Sequence, residues 1–161
     1  VYRDLKQQNV GFDSNGDVQL FDFGLAKRLD DCIESKMERG QYRLTPCTGT
    51  YPYMAPEVAT NQPWYNEKCD VYSFAILLWE ILSLDDAFDE LLSSKDEFDW
   101  RVAVCGERPD IPKCWPRQIQ KLLQRCWRNS AASRPCLSGV RCILRRELLA
   151  SSNHCIVHKL C

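Results

Sequence analysis

The sequence predicts a mostly α fold in which a small β-hairpin precedes a helical bundle. Three stretches carry that expectation. Val10 to Phe12 and Val18 to Phe21 are short apolar runs on either side of Asp13-Ser14-Asn15-Gly16, a composition that reads as strand, turn, strand. Val71, Phe74, Ala75, Leu77, Leu78, Trp79, Ile81 and Leu82 make a helix that is apolar nearly all round, as burial on every side requires. Ile119, Leu122, Leu123, Cys126 and Trp127 fall at i, i+3, i+4, i+7 and i+8, which is one face of an amphipathic helix.

Between the hairpin and the central helix, Leu25 to Tyr53 shows no sustained period. A polar segment of this length inside a compact domain is usually functional or mobile, so it is a candidate regulatory loop. Phe98, Val102 and Cys105 predict a surface helix that stops at Gly106-Glu107-Arg108-Pro109, because proline disfavours helix at the residue before it. Pro116 opens the next helix. Leu137, Val140, Leu144 and Leu148 repeat the pattern, whereas residues 150–161 have neither period nor cap and are expected to form a disordered tail behind a domain at 1–149.

A hydrophobic share of 45% and a charged share of 27% supply enough apolar material for a core. With 21 basic and 22 acidic residues the net charge is −1, which offers no field to attract nucleic acid or an anionic membrane, and neither partner is expected. The longest apolar run, Phe74 to Trp79, ends at Glu80, far short of the roughly 18 residues of a membrane span, so a soluble, cytoplasmic protein is expected. The 10 cysteines contain no C-x-x-C pair, which argues against structural zinc. Thiols such as Cys126 and Cys142 sit in helical apolar patterns as small hydrophobes and suit a reducing cytosol. His154 and His158 share a helical spacing but lack a third ligand, so no metal is expected there. The start at Val1-Tyr2-Arg3-Asp4, without an initiator Met or a leader profile, reads as a piece of a longer chain.

The acidic residues Asp4 and Asp22 flank Asn9 and the hairpin, which would bring two carboxylates and an amide to one mouth. Hard oxygen ligands of this kind suit Mg2+, and Mg2+ favours phosphate oxygens as further ligands, so a phosphorylated nucleotide is the natural guest. The alternative is that both aspartates are plain turn residues.

The string Tyr2-Arg3-Asp4-Leu5-Lys6-Gln7-Gln8-Asn9 resembles the catalytic loop of eukaryotic-type protein kinases. Asp22-Phe23-Gly24 resembles the metal-binding motif that follows it, and Ala55-Pro56-Glu57 completes the set in the right order. Asp70-Val71-Tyr72-Ser73-Phe74 looks like the family's buried central helix and Arg134-Pro135 like its late arginine, so the likeness runs from Val1 to about Glu147. Trp115-Pro116, Cys126-Trp127 and Arg134-Pro135 together look most like the tyrosine-kinase-like group of Ser/Thr kinases. The fold so implied is the C-terminal lobe of a protein kinase, a helical bundle with the small hairpin at the catalytic loop. The N-terminal lobe, with its glycine-rich loop and strand lysine, would lie before Val1, and the 161 residues alone should be inert.

The resemblance also implies roles. Asp4 would accept the proton of the substrate hydroxyl, Lys6 would steady the transferring phosphate, and Asn9 and Asp22 would hold Mg2+ against ATP. Phe23 would pack behind Asp22 or simply join the core, and Gly24 would allow a sharp turn. Lys6 and Thr50 favour Ser/Thr over tyrosine as the acceptor in a protein substrate. Asp70 would bind backbone amides of the catalytic loop, or else be an ordinary acid at a helix N-terminus. Arg3 could pair with a phosphate on the regulatory loop, with Thr45 and Thr48 the foremost acceptors and Ser35 behind them. Glu57 and Arg134 match the two ends of an anchoring ion pair, the alternative being two exposed surface charges.

Three positions depart from the family pattern. Tyr2 stands where His is more common, Gln7 where Pro is usual, and Gly11 where an apolar side chain usually lies beneath the adenine ring. A glycine there would thin that floor. The competing expectations are a pseudokinase scaffold and a truncated, non-functional product.

Overall fold

The computed structural model describes residues 1–89 and 94–152. The hairpin pairs β1 (Val10–Phe12) with β2 (Val18–Leu20) in antiparallel register, Val10 opposite Leu20 and Phe12 opposite Val18. Its turn is built by Asp13, whose Oδ1 accepts the N–H groups of Asn15 at 2.8 Å and Asp17 at 3.0 Å. Asp side chains favour this kind of turn because they substitute for a backbone acceptor.

The segment expected to be irregular is not wholly so: Leu29–Asp31 forms a 3-10 turn and Glu34 bridges antiparallel to Tyr42. Its residues Tyr42–Arg43 (β3) pair antiparallel with Trp64–Tyr65 (β4), which ties the long loop to the body. Between them lies the four-residue helix α1 (Pro56–Ala59), buried along its whole length.

The central helix α2 runs Lys68–Ser83. Val71, Tyr72, Ala75 and Ile76 are essentially inaccessible, but Ile81 is 56% exposed, so the helix is not buried on every side as its all-round apolar pattern predicts. Helix α4 (Arg117–Cys126) lays Ile119, Leu122, Leu123 and Cys126 into the same core. Trp127 follows the helix rather than ending it, although its N–H still reaches the Leu123 carbonyl at 3.1 Å. Helix α5 (Leu137–Ser152) lies against α4 and buries Val140. It continues through Ser152, past the point at which the tail was expected to begin; residues 153–161, with His154 and His158, lie outside the described residues.

The expected surface helix near Phe98 differs from an ordinary one. Helix α3 (Lys95–Phe98) passes into a π-helical turn at Asp99–Val104, in which the Cys105 N–H bonds back five residues to Trp100 at 2.8 Å. The wider turn keeps Phe98 and Val102 buried while leaving Trp100 and Val104 exposed.

Candidate active site

The site grows from a backbone that ordinary residues avoid. Arg3 is buried with φ +72, in the left-handed region where a non-glycine residue is uncommon. What holds it there is Asp70 in the first turn of α2. Its two carboxylate oxygens accept the N–H groups of Tyr2 and Arg3, each at 2.7 Å. The Arg3 side chain then donates from Nε to the Leu25 carbonyl at 2.7 Å, joining the segment that carries Asp4 to the start of the long loop. The contact to helix α2 therefore reaches the backbone immediately before Asp4.

Asp4 is buried and fully engaged. Its Oδ1 accepts the Thr50 hydroxyl at 2.6 Å, and its Oδ2 accepts the Asn9 amide at 2.9 Å. The Lys6 ammonium lies 3.0 Å from Oδ2 and donates to the Thr50 hydroxyl at 2.8 Å. Burial pushes the Asp4 carboxyl up, but the hydrogen bonds from Thr50 and Lys6, the Lys6 charge and the Asn9 amide together outweigh it and hold the group below its ordinary value. The result is a carboxylate that stays ionised at neutral pH, with a cation and a hydroxyl fixed beside it. Four residues from positions 4, 6, 9 and 50 thus meet at one point.

Asp22 sits apart from that network, at an exposed turn one residue after Phe21, whose N–H donates to the Asn9 carbonyl at 2.9 Å. Its Oδ1 accepts the Gly24 N–H at 3.1 Å. Gly24 does lie in a turn, with Leu25, closed by the Ala26 N–H donating to the Phe23 carbonyl at 3.0 Å, while the left-handed residue nearby is Asp22, with φ +54. A Cβ at Gly24 would stand 3.1 Å from the Asp22 carboxylate, so a side chain there would need Asp22 to shift by a few tenths of an ångström. Phe23 is largely exposed and meets Tyr2 edge-on, with ring centroids 5.5 Å apart, so it does not join the core. Tyr2 in turn donates its hydroxyl to the Phe21 carbonyl.

Glu57 and Arg134 come together as a bidentate pair with both N–O distances at 2.7 Å. Arg134 also donates to the carbonyls of Lys68, Arg128 and Asn129 and lies over the Tyr72 ring, so it links α1 to the helical body. Thr45 faces a cavity of about 580 Å3 lined by Arg3, Lys27, Arg28 and Arg43. The Thr48 hydroxyl instead donates to the Thr45 carbonyl at 2.9 Å. Ser35 accepts the N–H groups of Met37 and Glu38 in a local turn.

One group escaped the sequence reasoning. Glu80, buried in α2, accepts the Gln7 amide at 3.0 Å, the Tyr53 hydroxyl at 2.6 Å and the Ala87 N–H at 3.1 Å. Burial, and then the bond to Glu80, push the Tyr53 hydroxyl well up from its ordinary range. The signal was present: Glu80 is the single charge interrupting the run from Phe74 to Leu82.

With this geometry in place, comparison with known proteins is direct. Residues 1–144 match the family model described as protein tyrosine and serine/threonine kinase. The chain is 37% identical over 140 residues to the dual specificity protein kinase shkB of Dictyostelium discoideum, covering 87% of this chain and 20% of that protein. It is 34% identical over 147 residues to the probable serine/threonine-protein kinase SIS8 of Arabidopsis thaliana, covering 91% and 13%. It is 32% identical over 146 residues to the serine/threonine/tyrosine-protein kinase HT1 of the same plant, covering 91% and 34%. The chain therefore spans a minor part of the length of the relatives it matches.

Proposed function

The chain belongs to the protein tyrosine and serine/threonine kinase family, and on that premise we propose that it carries the catalytic loop of an enzyme that transfers the γ-phosphate of ATP, with Mg2+, to serine and threonine hydroxyls of proteins. The observation that carries this reading is the Asp4 network. A buried, ionised carboxylate that accepts bonds from Thr50 and Asn9, with the Lys6 ammonium 3.0 Å away, is suited to orient an acceptor hydroxyl and take its proton while a cation offsets charge on the phosphate. Residues 1–149 are the C-terminal lobe in this reading, and the described cysteines, all free thiols, support a reducing, cytoplasmic setting.

The donor set fits Mg2+. No group of three or more His, Cys, Asp or Glu among the described residues is arranged to hold a metal by itself. Mg2+ does not need one, because it takes one or two carboxylates and fills its shell with phosphate and water. Asp22 is exposed, and the Asn9 amide nitrogen is spent on Asp4, which leaves its oxygen for a cation. Bound there, Mg2+ would neutralise the phosphate oxygens.

Acceptor choice rests on Lys6 and Thr50, which are bonded to each other and to Asp4. A second reading, tyrosine as an additional acceptor, is favoured by relatives named as dual-specificity or serine/threonine/tyrosine kinases. Phosphoamino-acid analysis of the full-length protein after reaction with labelled ATP separates the two. In the same assay Asp4→Asn should lower turnover by about 10²- to 10⁴-fold. Near-normal turnover in that variant would remove the role given to Asp4, and nucleotide binding without turnover in the wild type would favour a scaffold.

A further inference from the structure

The net charge of −1 conceals a division along the chain. Residues 113–147 hold nine of the 21 basic residues and one of the 22 acidic ones, Glu147, so the segment that builds α4 and most of α5 is strongly cationic and the remainder anionic. Arg134 is spent on Glu57. The other eight cations are all exposed, and among the described residues none of them forms an ion pair or a side-chain hydrogen bond. Arg117, Lys121 and Arg125 follow one another along α4 at intervals of four, and like charges at that spacing destabilise a helix. Arg117 also stands in the first turn, the end at which the helix dipole disfavours a cation. These charges work against the helix that carries them, so the fold does not explain them.

They border a groove. Lys121, Arg125 and Arg128, with the amides of Gln118 and Gln124, surround a cavity of about 250 Å3 on α4 that Ile143 of α5 closes from the other side. Cations one helical turn apart on α4 are separated by about 6 Å along its axis. Alternate side chains of an extended peptide point the same way and are about 6.6 Å apart. Carboxylates at alternate positions of such a peptide therefore fall in step with Arg117, Lys121 and Arg125, and arginine can hold a carboxylate through two parallel bonds. The two aromatic residues of this segment, Trp115 and Trp127, are buried, so the groove has no ring on which a nucleic-acid base would stack. A concave channel between two helices also suits an extended chain better than the flat face of a bilayer.

We propose that the groove between α4 and α5 is a docking site for an acidic segment of the protein substrate, with Glu or Asp at alternate positions. That the docked protein is a substrate rests on the kinase reading above, whereas the preference for an acidic chain rests on the groove alone. None of the residues lining the cavity belongs to the Asp4 network, so docking there holds a substrate without touching the reacting groups and should act on KM rather than kcat.

The test uses the full-length protein and two otherwise neutral peptides, one with Glu at three alternate positions and one with Gln in their place. The Glu peptide should bind about tenfold more tightly, and added salt should erode the difference. Lys121→Glu should remove most of that preference. It should not lower the melting temperature, because an acid between Arg117 and Arg125 makes favourable pairs along the helix, so weaker binding cannot be put down to unfolding. With the Glu segment joined to a phosphorylatable peptide, the same variant should raise KM about tenfold and leave kcat unchanged, while KM for the Gln version stays as it was. Equal binding of the two peptides, wild-type affinity in Lys121→Glu, or a change in kcat without one in KM would overturn the proposal. So would tighter binding of phosphatidylserine vesicles or of a single-stranded oligonucleotide than of the Glu peptide. An active kinase that ignores the Glu peptide sinks the docking site alone, whereas a protein that binds it but transfers no phosphate removes the kinase reading and with it the substrate role.

Discussion

Gly49 sits where two stretches of backbone cross. Its φ is +122, and a Cβ there would stand 2.5 Å from the Arg3 carbonyl oxygen, a backbone atom that cannot swing aside. Gly49→Ala should therefore destabilise the kinase domain by about 1–3 kcal/mol in denaturant melts. It should also lower turnover, because the displaced carbonyl belongs to the residue before Asp4. A neutral melt would mean that the crossing is loose. Asp4 itself makes a pH prediction. Its carboxyl is held below its ordinary 3.8, so the bonds it makes stabilise the fold above that pH and are lost as pH falls through the lowered value. In Asp4→Asn that part of the acid loss should disappear. Melts of both proteins in steps from neutral pH to below 3.8 should show the wild type losing more stability than the variant over the last steps, and parallel curves would contradict the assignment.

Between elements, the largest single commitment is the pair that joins α1 to the segment before α5. The Arg134 side chain is 0% exposed and that of Glu57 10%, so removing either leaves a charge without compensation. Arg134→Ala and Glu57→Ala should each cost about 3–5 kcal/mol, and the double variant should cost much less than the sum. Additive losses, or losses below about 1 kcal/mol, would mean that the pair does not couple. The ends of this pair are 77 residues apart, and the sequence suggested them only through motif likeness. The hairpin, α2 and α4 were legible directly, because each is specified by a local period or a turn that neighbouring residues supply. Strands β3 and β4 were not, since two residues carry no period and their pairing is set by distant partners. The π turn was hidden for a related reason: Phe98, Val102 and Cys105 satisfy a helical pattern, and the choice of ring size depends on packing. At the site, the motifs marked Asp4, Asn9 and Asp22. The Glu80 hub required the fold, because nothing local to that residue names its partners.

Taken as a whole, the molecule ties a long loop to its body through the Arg3–Leu25 bond, the Asp4–Thr50 bond and the β3–β4 pairing, with the Glu57–Arg134 pair just beyond the loop's end. Between the start of the loop and β3 lies the cavity lined by Arg3, Lys27, Arg28 and Arg43, with Thr45 exposed at its edge. Four cations face it against Asp31, and Arg28 approaches Asp30 and Asp31 only at 3.9 and 3.8 Å, both with exposed side chains. Such contacts hold little energy, so the cavity keeps an excess of positive charge. A phosphoryl group brings about −1.5 to −2 charge and accepts charge-assisted hydrogen bonds from arginine. On Thr45 it would cross-link the start of the long loop, through Arg28, to β3, through Arg43. Thr48 is the weaker acceptor, because its hydroxyl is already bonded to the Thr45 and Pro46 carbonyls. Phosphorylation at Thr45 should therefore raise turnover and slow hydrogen exchange over residues 28–45, and added salt should weaken both effects, since an exposed cluster is screened within about 8–10 Å. Arg43→Gln should reduce the protection without removing the basal rate. Mass spectrometry of active protein decides the site. An unmodified loop, or a Thr45→Ala variant as active and as protected as the phosphorylated wild type, would show that the cavity is not the loop's phosphate receptor.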